Sequence, residues 1–287
     1  MDGEIRTADI RLPDTACLRS MTLANPGGTD QVASLGAHAG WDAFERPLPH
    51  YLYAVARARA GLVVDVGANT GFYSVLAASA SDQTRVVSFE PVPDIADMLD
   101  RNIGENGLRD RVSVLRCALS DTVGTAELFL PSAEHGLIET SASLERSFKD
   151  THSGTIRVPV NTLDRALSGL SLGRAPVALI KIDVEGHEAA VLAGASATIR
   201  RCRPVLFVEV LPGCDLQRLN RFIAARGYRD VRLRPDQPPQ TAVAIEFDPD
   251  SWNHALVPGE ALAAFMTLAP AVADDPPLGE QARIVPG

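Results

Sequence analysis

One regularity constrains this chain more than any other: short runs rich in Val, Ile and Leu alternate with segments of helical apolar spacing. The runs fall at 62–66, 85–89, 112–117, 177–184 and 205–210. Between them, Phe72, Val75 and Leu76, then Ile95, Met98, Leu99 and Ile103, then Leu216, Leu219 and Ile223 each place one apolar stripe on a helix. This alternation predicts an α/β fold, a parallel sheet with helices on both faces. Near-continuous apolar strands fit, because a parallel strand is buried on both sides.

The pattern changes between about 123 and 160, where Thr125 to Leu130 and Thr155 to Val160 read as short strands around a polar loop. An inserted antiparallel hairpin over the sheet edge is expected there. Residues 1–40 are turn-rich around Asn25-Pro26-Gly27-Gly28 and read as an N-terminal extension without clean periodicity. A helix interrupted near Pro47 and Pro49 is predicted from Trp41 to Ala60, and Asn253 to Val257 supplies a last strand. The main domain is therefore placed at 41–257, with 258–287 a C-terminal extension that ends, from Pro270, in a flexible tail.

Composition narrows the function classes. A length of 287 residues with 46% hydrophobic content suits one large globular domain or two small ones. The net charge of −9 argues against a nucleic-acid surface, which needs dense Lys and Arg. The longest uncharged runs, Val66 to Ser81 and Ala261 to Ala273, are shorter than the roughly 18 residues of a membrane span. No basic-then-apolar leader follows Met1, so a cytoplasmic address without membrane attachment is expected. Cys17, Cys117, Cys202 and Cys214 form no close pair and read as small buried apolar residues.

The chemistry concentrates in Asp65-Val66-Gly67-Ala68-Asn69-Thr70-Gly71, between a strand and an amphipathic helix. Glycines at 67 and 71 permit a tight turn against a ligand, and the helix start offers free N–H groups. The dinucleotide pattern G-x-G-x-x-G is incomplete, since Phe stands at 72, which weakens a nicotinamide reading. The segment instead matches the acidic-x-G-x-G-x-G loop of S-adenosylmethionine-dependent methyltransferases, with Asn69 at the middle glycine. Glu90 lies 23 residues beyond Gly67 at a strand end, where a carboxylate can accept from both ribose hydroxyls.

A second unusual segment is Lys181 to Glu188, which sets Lys181, Asp183 and Glu185 two apart on a strand that should be apolar. Buried charges must pair, reach solvent or bind something. A Lys181–Asp183 or Lys181–Glu209 ion pair is the plain structural reading. Asp183 falls at the carboxyl edge where ligands of open sheets bind, and His187 follows at a helix start with a pKa suited to accepting a hydroxyl proton. Glu209 ends the neighbouring strand and should lie near Asp183. Asp183, Glu185, His187 and Glu209 could form an oxygen-rich metal site, but no ligand spacing demands one, and no metal is assigned.

From Gly61 to Val257 the chain resembles the FkbM-type methyltransferases. The resemblance runs, in order, through the 65–71 loop, Phe89-Glu90-Pro91, Asn102 and Asn106, Ala118-Leu119-Ser120-Asp121, Thr162-Leu163-Asp164, Ile180 to Glu188, and Arg203-Pro204 leading to Glu209. It implies a class I methyltransferase (Rossmann-like) sheet, S-adenosyl-L-methionine as donor, and a hydroxyl acceptor on a sugar, polyketide or related small molecule. Asp65, Gly67, Asn69, Thr70, Gly71, Glu90, Cys117, Ala118 and Asp183 would then hold the donor, with Cys117 and Ala118 at the adenine. Asp183, His187 and Glu209 would position and deprotonate the hydroxyl. A nicotinamide-dependent oxidoreductase, or an inactive nucleoside-binding protein of the same fold, is the alternative, and a homo-oligomer is compatible with the sequence.

Overall fold

The computed structural model describes residues 5–131, 142–145, 152–170, 175–235 and 237–268. Strands β1 (Ile5–Arg11) and β2 (Ser20–Pro26) form an antiparallel hairpin, followed by α1 (Gln31–Ala39) and α2 (Leu48–Ala58). The alternation then begins with β3 (Leu62–Val66), α3 (Phe72–Ser79), β4 (Arg85–Phe89), α4 (Pro93–Glu105) and β5 (Val112–Leu115). Next, β6 (Ala118–Leu119), β7 (Gly124–Pro131) and β8 (His152–Asn161) make a small sheet of their own. The chain continues through α5 (Leu163–Ser168), β9 (Val177–Ile182), α6 (Glu188–Gly194), α7 (Ser196–Cys202), β10 (Val205–Glu209) and α8 (Leu216–Arg226). It closes with β11 (Tyr228–Arg232), β12 (Gln240–Ala242), β13 (Asn253–Pro258) and α9 (Leu262–Met266).

The central sheet has the order β12-β11-β13-β10-β9-β3-β4-β5. Its β3, β4, β5, β9 and β10 run parallel, while β13 enters antiparallel between β10 and β11. This is the expected class I methyltransferase sheet. Strand order reverses beside β3, so the crevice between the carboxyl ends of β3, β4 and β9 is where such a sheet takes a ligand. Alternate residues feed alternate layers. Val63, Leu179 and Phe207 face a core shared with α2, α3 and α4, whereas Val64, Ile180 and Val208 face one shared with α5, α6, α7 and α8.

Four details depart from the sequence reading. The N-terminal extension is a hairpin whose Ala8, Ile10, Met21 and Leu23 form one buried face. Its second strand, β2, is tied to α4 by Asn102 and Asn106: Ala24 N–H donates to Asn102 Oδ1 at 2.7 Å and Thr22 N–H to Asn106 Oδ1 at 2.9 Å. Pro47 and Pro49 start helix α2 rather than interrupt one, because proline is tolerated in a first turn. Beyond β13 the chain docks through Phe265, which stacks on Tyr51 at 5.2 Å. Of the cysteines only Cys214 is buried, and Cys17 is exposed. The predicted insertion is present as the antiparallel pair of β7 and β8, with β6 added parallel to β8. The predicted tail from Pro270 lies outside the described residues. No helix among the described residues is long and apolar enough to cross a membrane.

Candidate active site

The turn after β3 is built from three residues in the left-handed region: Gly67 at φ 75°, Asn69 at φ 50° and Gly71 at φ 97°. Asn is the side chain that best tolerates this region, which explains how it stands at the middle position of a glycine loop. The Asn69 Oδ1 accepts from Thr70 N–H at 2.7 Å, a local bond that holds the bend. A side chain at 67 would overlap the main-chain carbonyl of Asp183, so glycine is needed for β3 and β9 to close on each other. A side chain at 71 would overlap Leu99 of α4.

Glu90 faces this turn. Its Oε2 accepts from Asn69 N–H at 3.0 Å and its Oε1 from Val92 N–H at 2.9 Å. The side chain is 5% exposed, and burial pushes its pKa up to about 7 despite the two donors. Each oxygen retains a further lone pair for a ligand hydroxyl. A cleft opens beside Glu90. Val66, Gly67 and Asn69 line one side, Cys117, Ala118 and Leu119 another, and Asp183 to Glu185 with His187 a third.

Of the expected site residues, Gly67, Asn69, Glu90, Cys117, Ala118, Asp183 and His187 therefore meet around one cleft, while Asp65, Thr70, Gly71 and Glu209 do not line it. Asp65 turns to the α3 side of the sheet because it shares the strand face of Val63. There its Oδ2 accepts from Ser74 Oγ at 2.6 Å, in register with Ser88 on β4 and Lys181 on β9. Burial raises its pKa. Thr70 is buried, with its carbonyl accepting from Asn102 Nδ2 at 2.7 Å.

Lys181 is 3% exposed and donates to Asp183 Oδ2 at 2.8 Å, the ion pair named as the plain reading. It also sits 4.6 Å from the centre of the Tyr73 ring. Burial works against its charge, but Asp183, Glu45 and Asp65 outweigh burial and hold its pKa above the ordinary value. Glu45 is half-buried and accepts from Tyr73 Oη at 2.7 Å; burial pushes it up to about 7. Glu209 is adjacent to Asp183, as expected, and burial first, then the negative charge of Asp183, raises its pKa.

His187 is the N-cap residue of α6, and both ring nitrogens are engaged. Nδ1 lies 2.7 Å from Glu145 Oε1 and Nε2 lies 2.9 Å from Ser120 Oγ. Close to Glu145 in the chain, Ala142 and Leu144 line the cleft. Ser143 Oγ between them donates to the Glu185 carbonyl at 2.7 Å and accepts from Glu145 N–H at 2.9 Å.

Sequence reasoning missed Glu45, Ser120 and Glu145 as partners of the site. Ser120 stood in the Ala118-Leu119-Ser120-Asp121 motif and could have been weighed; Glu45 and Glu145 come from irregular segments whose spacing carries no signal. Other motif residues prove architectural. Thr162 caps α5, Asp164 accepts from Ala197 and Thr198 N–H at the start of α7, and Glu188 accepts from Gly186 N–H beside its own helix start.

Residues 65–229 match the methyltransferase FkbM domain. The chain is similar to the methyltransferase sdnD of Sordaria araneosa, at 29% identity over 154 residues, covering 46% of this chain and 59% of that protein. It is also similar to the AMB antimetabolite synthetase AmbE of Pseudomonas aeruginosa, at 30% identity over 167 residues, covering 46% of this chain and 8% of the synthetase. This chain thus spans less than two thirds of either relative. Among solved structures, an FkbM methyltransferase from Methylobacillus flagellatus superposes with a TM-score of 0.45 and 18% identity, over 69% of this chain and 43% of that one.

Proposed function

We propose, from the premise that this chain belongs to the FkbM methyltransferase family, that its cleft binds S-adenosyl-L-methionine and that it methylates a hydroxyl of a small molecule. The acceptor class is a sugar, polyketide or related natural product. One observation carries the donor assignment: the buried Glu90 carboxylate, fixed by Asn69 and Val92 N–H, opens onto a cleft at the strand-order reversal. Such a carboxylate suits vicinal ribose hydroxyls, and the close Gly67 turn gives the methionine part access to main chain. Cys117, Ala118 and Leu119 supply an apolar wall for the adenine.

When bound, the donor supplies an electrophilic methyl on a sulfonium. The chain's part is to align an acceptor oxygen behind that methyl and to take its proton. His187 is our candidate for the proton. Glu145 holds Nδ1–H, which leaves the Nε2 lone pair toward Ser120 Oγ, where a hydroxyl already sits. An acceptor hydroxyl in that place would pass its proton to Nε2 as its oxygen bonds the methyl carbon and the carbon–sulfur bond breaks. Asp183, at the end of β9, would orient the acceptor.

Calorimetric titration with S-adenosylhomocysteine and separately with NAD tests the donor assignment. Binding of the first alone is expected; binding of NAD alone would replace this reading with an oxidoreductase. A transfer screen on sugars and polyketide-like alcohols then tests the acceptor class, and tight donor binding without transfer would favour an inactive nucleoside-binding protein.

A further inference from the structure

We propose that a hard divalent cation, Mg²⁺ or Mn²⁺, binds beside the cleft to Asp183, Glu185 and Glu209, at the carboxyl ends of β9 and β10. One carboxylate oxygen from each lies within 4.8 Å of the others. That is the span of oxygens arranged around a single ion at roughly 2.1–2.4 Å from each. The set is all oxygen, which selects a hard cation over zinc or copper. His187 does not belong to it, since Glu145 and Ser120 occupy its ring nitrogens.

The independent sign of a missing partner is Glu209. The residue is 8% exposed, and among the described residues no donor reaches its buried Oε2. An ionised oxygen so placed is costly without a cation or a proton. Nearby positive charge is already committed: the Lys181 ammonium bonds Asp183 Oδ2 and is shared electrostatically with Glu45 and Asp65. Three carboxylates thus share that ammonium, Asp183, Glu45 and Asp65, and one of them, Asp183, also lies against Glu185 and Glu209. Asp183 and Glu185 line the cleft, so solvent or an acceptor oxygen can complete the coordination shell from the open side. Holding and acidifying the acceptor hydroxyl would be the ion's task. That task rests on the methyl-transfer reading; the binding itself does not.

The test is Mn²⁺ titration of the chelator-treated full chain, read by the loss of the free-ion paramagnetic signal, with Mg²⁺ as competitor. One equivalent should bind with a Kd below about 1 mM. Glu209→Gln and Glu185→Gln should each weaken it at least about tenfold, while Asp14→Asn, on the surface, should leave it unchanged. Glu185→Gln alters a partly exposed side chain and reads the site even if Glu209→Gln unfolds, as thermal melting will show. No Mn²⁺ retained by the parent chain at millimolar concentration overturns the proposal, leaving a proton shared between Asp183 and Glu209. Weak binding unaffected by both Gln variants, an adventitious ion only, overturns it equally. Mn²⁺ retention without S-adenosylhomocysteine binding sustains the ion site and removes the donor reading.

Discussion

Gly67 and Asp183 meet main chain to main chain: the glycine Cα faces the aspartate carbonyl so closely that any side chain at 67 would overlap its oxygen. The contact joins the ends of β3 and β9, the two strands between which the sheet order reverses. The cleft's shape therefore depends on one missing methyl group.

Gly67→Ala should force these strand ends apart and strain a residue held at φ 75°. The expected loss is roughly 2–4 kcal/mol of stability, with S-adenosylhomocysteine affinity reduced at least about tenfold. Chemical denaturation and calorimetry check the two parts. An unchanged variant would mean that the glycine is incidental.

Asn69 separates conformation from contact. Asn69→Gly keeps the left-handed turn and should change stability by no more than about 0.5 kcal/mol, whereas Asn69→Ala should cost about 1–2 kcal/mol. Equal costs in urea denaturation would show that the side-chain bond to Thr70, and not backbone geometry, explains this residue.

Glu90, raised to about 7 by burial, makes donor binding depend on pH. Hydroxyl donors favour the carboxylate, so affinity for S-adenosylhomocysteine should rise as pH increases through 7 and level off above it. At pH 6 it should be roughly tenfold weaker than at pH 8. The stability sign is opposite: a carboxyl whose folded pKa exceeds its unfolded value stabilises the fold fully below the unfolded value, and this is lost as pH rises toward 7. Glu90→Gln should flatten both dependences. A calorimetric series from pH 5.5 to 8.5 in which parent and variant show the same slope would remove Glu90 from the donor site.

Asn102 is fully buried and bridges Ala24 N–H to the Thr70 carbonyl. Asn102→Ala orphans both groups and should cost about 2–4 kcal/mol. The readout is faster hydrogen exchange in β2 and in the 69–71 turn together. Exchange confined to one of them would show that the residue does not couple the hairpin to the loop.

His187→Ala should lower kcat about 10²- to 10⁴-fold with donor affinity retained. Full turnover would rule out the base assignment. Glu145→Gln should give a kcat between those of parent and His187→Ala, since Glu145 acts through the imidazole and not on substrate.

The sequence by itself determined the strands and helices of the parallel half and the turn that ends β3, because apolar period and glycine placement are local properties of a chain. Gly67, Asn69, Glu90, Asp183 and His187 were legible for the same reason: each occupies an end of a regular element, where spacing tells position. Strand ends were overrun, as at Cys117 and Val184, because apolar character continues past the last ladder bond at Leu115 and Ile182. The N-terminal hairpin was missed because its support, Asn102 and Asn106, lies some 80 residues away. Only the tertiary structure decided that Asp65 faces Ser74 and not the cleft, that Glu145 and Ser120 hold His187, and that Glu45, Asp65 and Asp183 share one lysine. Those facts depend on which segments meet across the sheet, and pairwise electrostatics at a few ångströms cannot be read from residues separated by tens of positions in the chain.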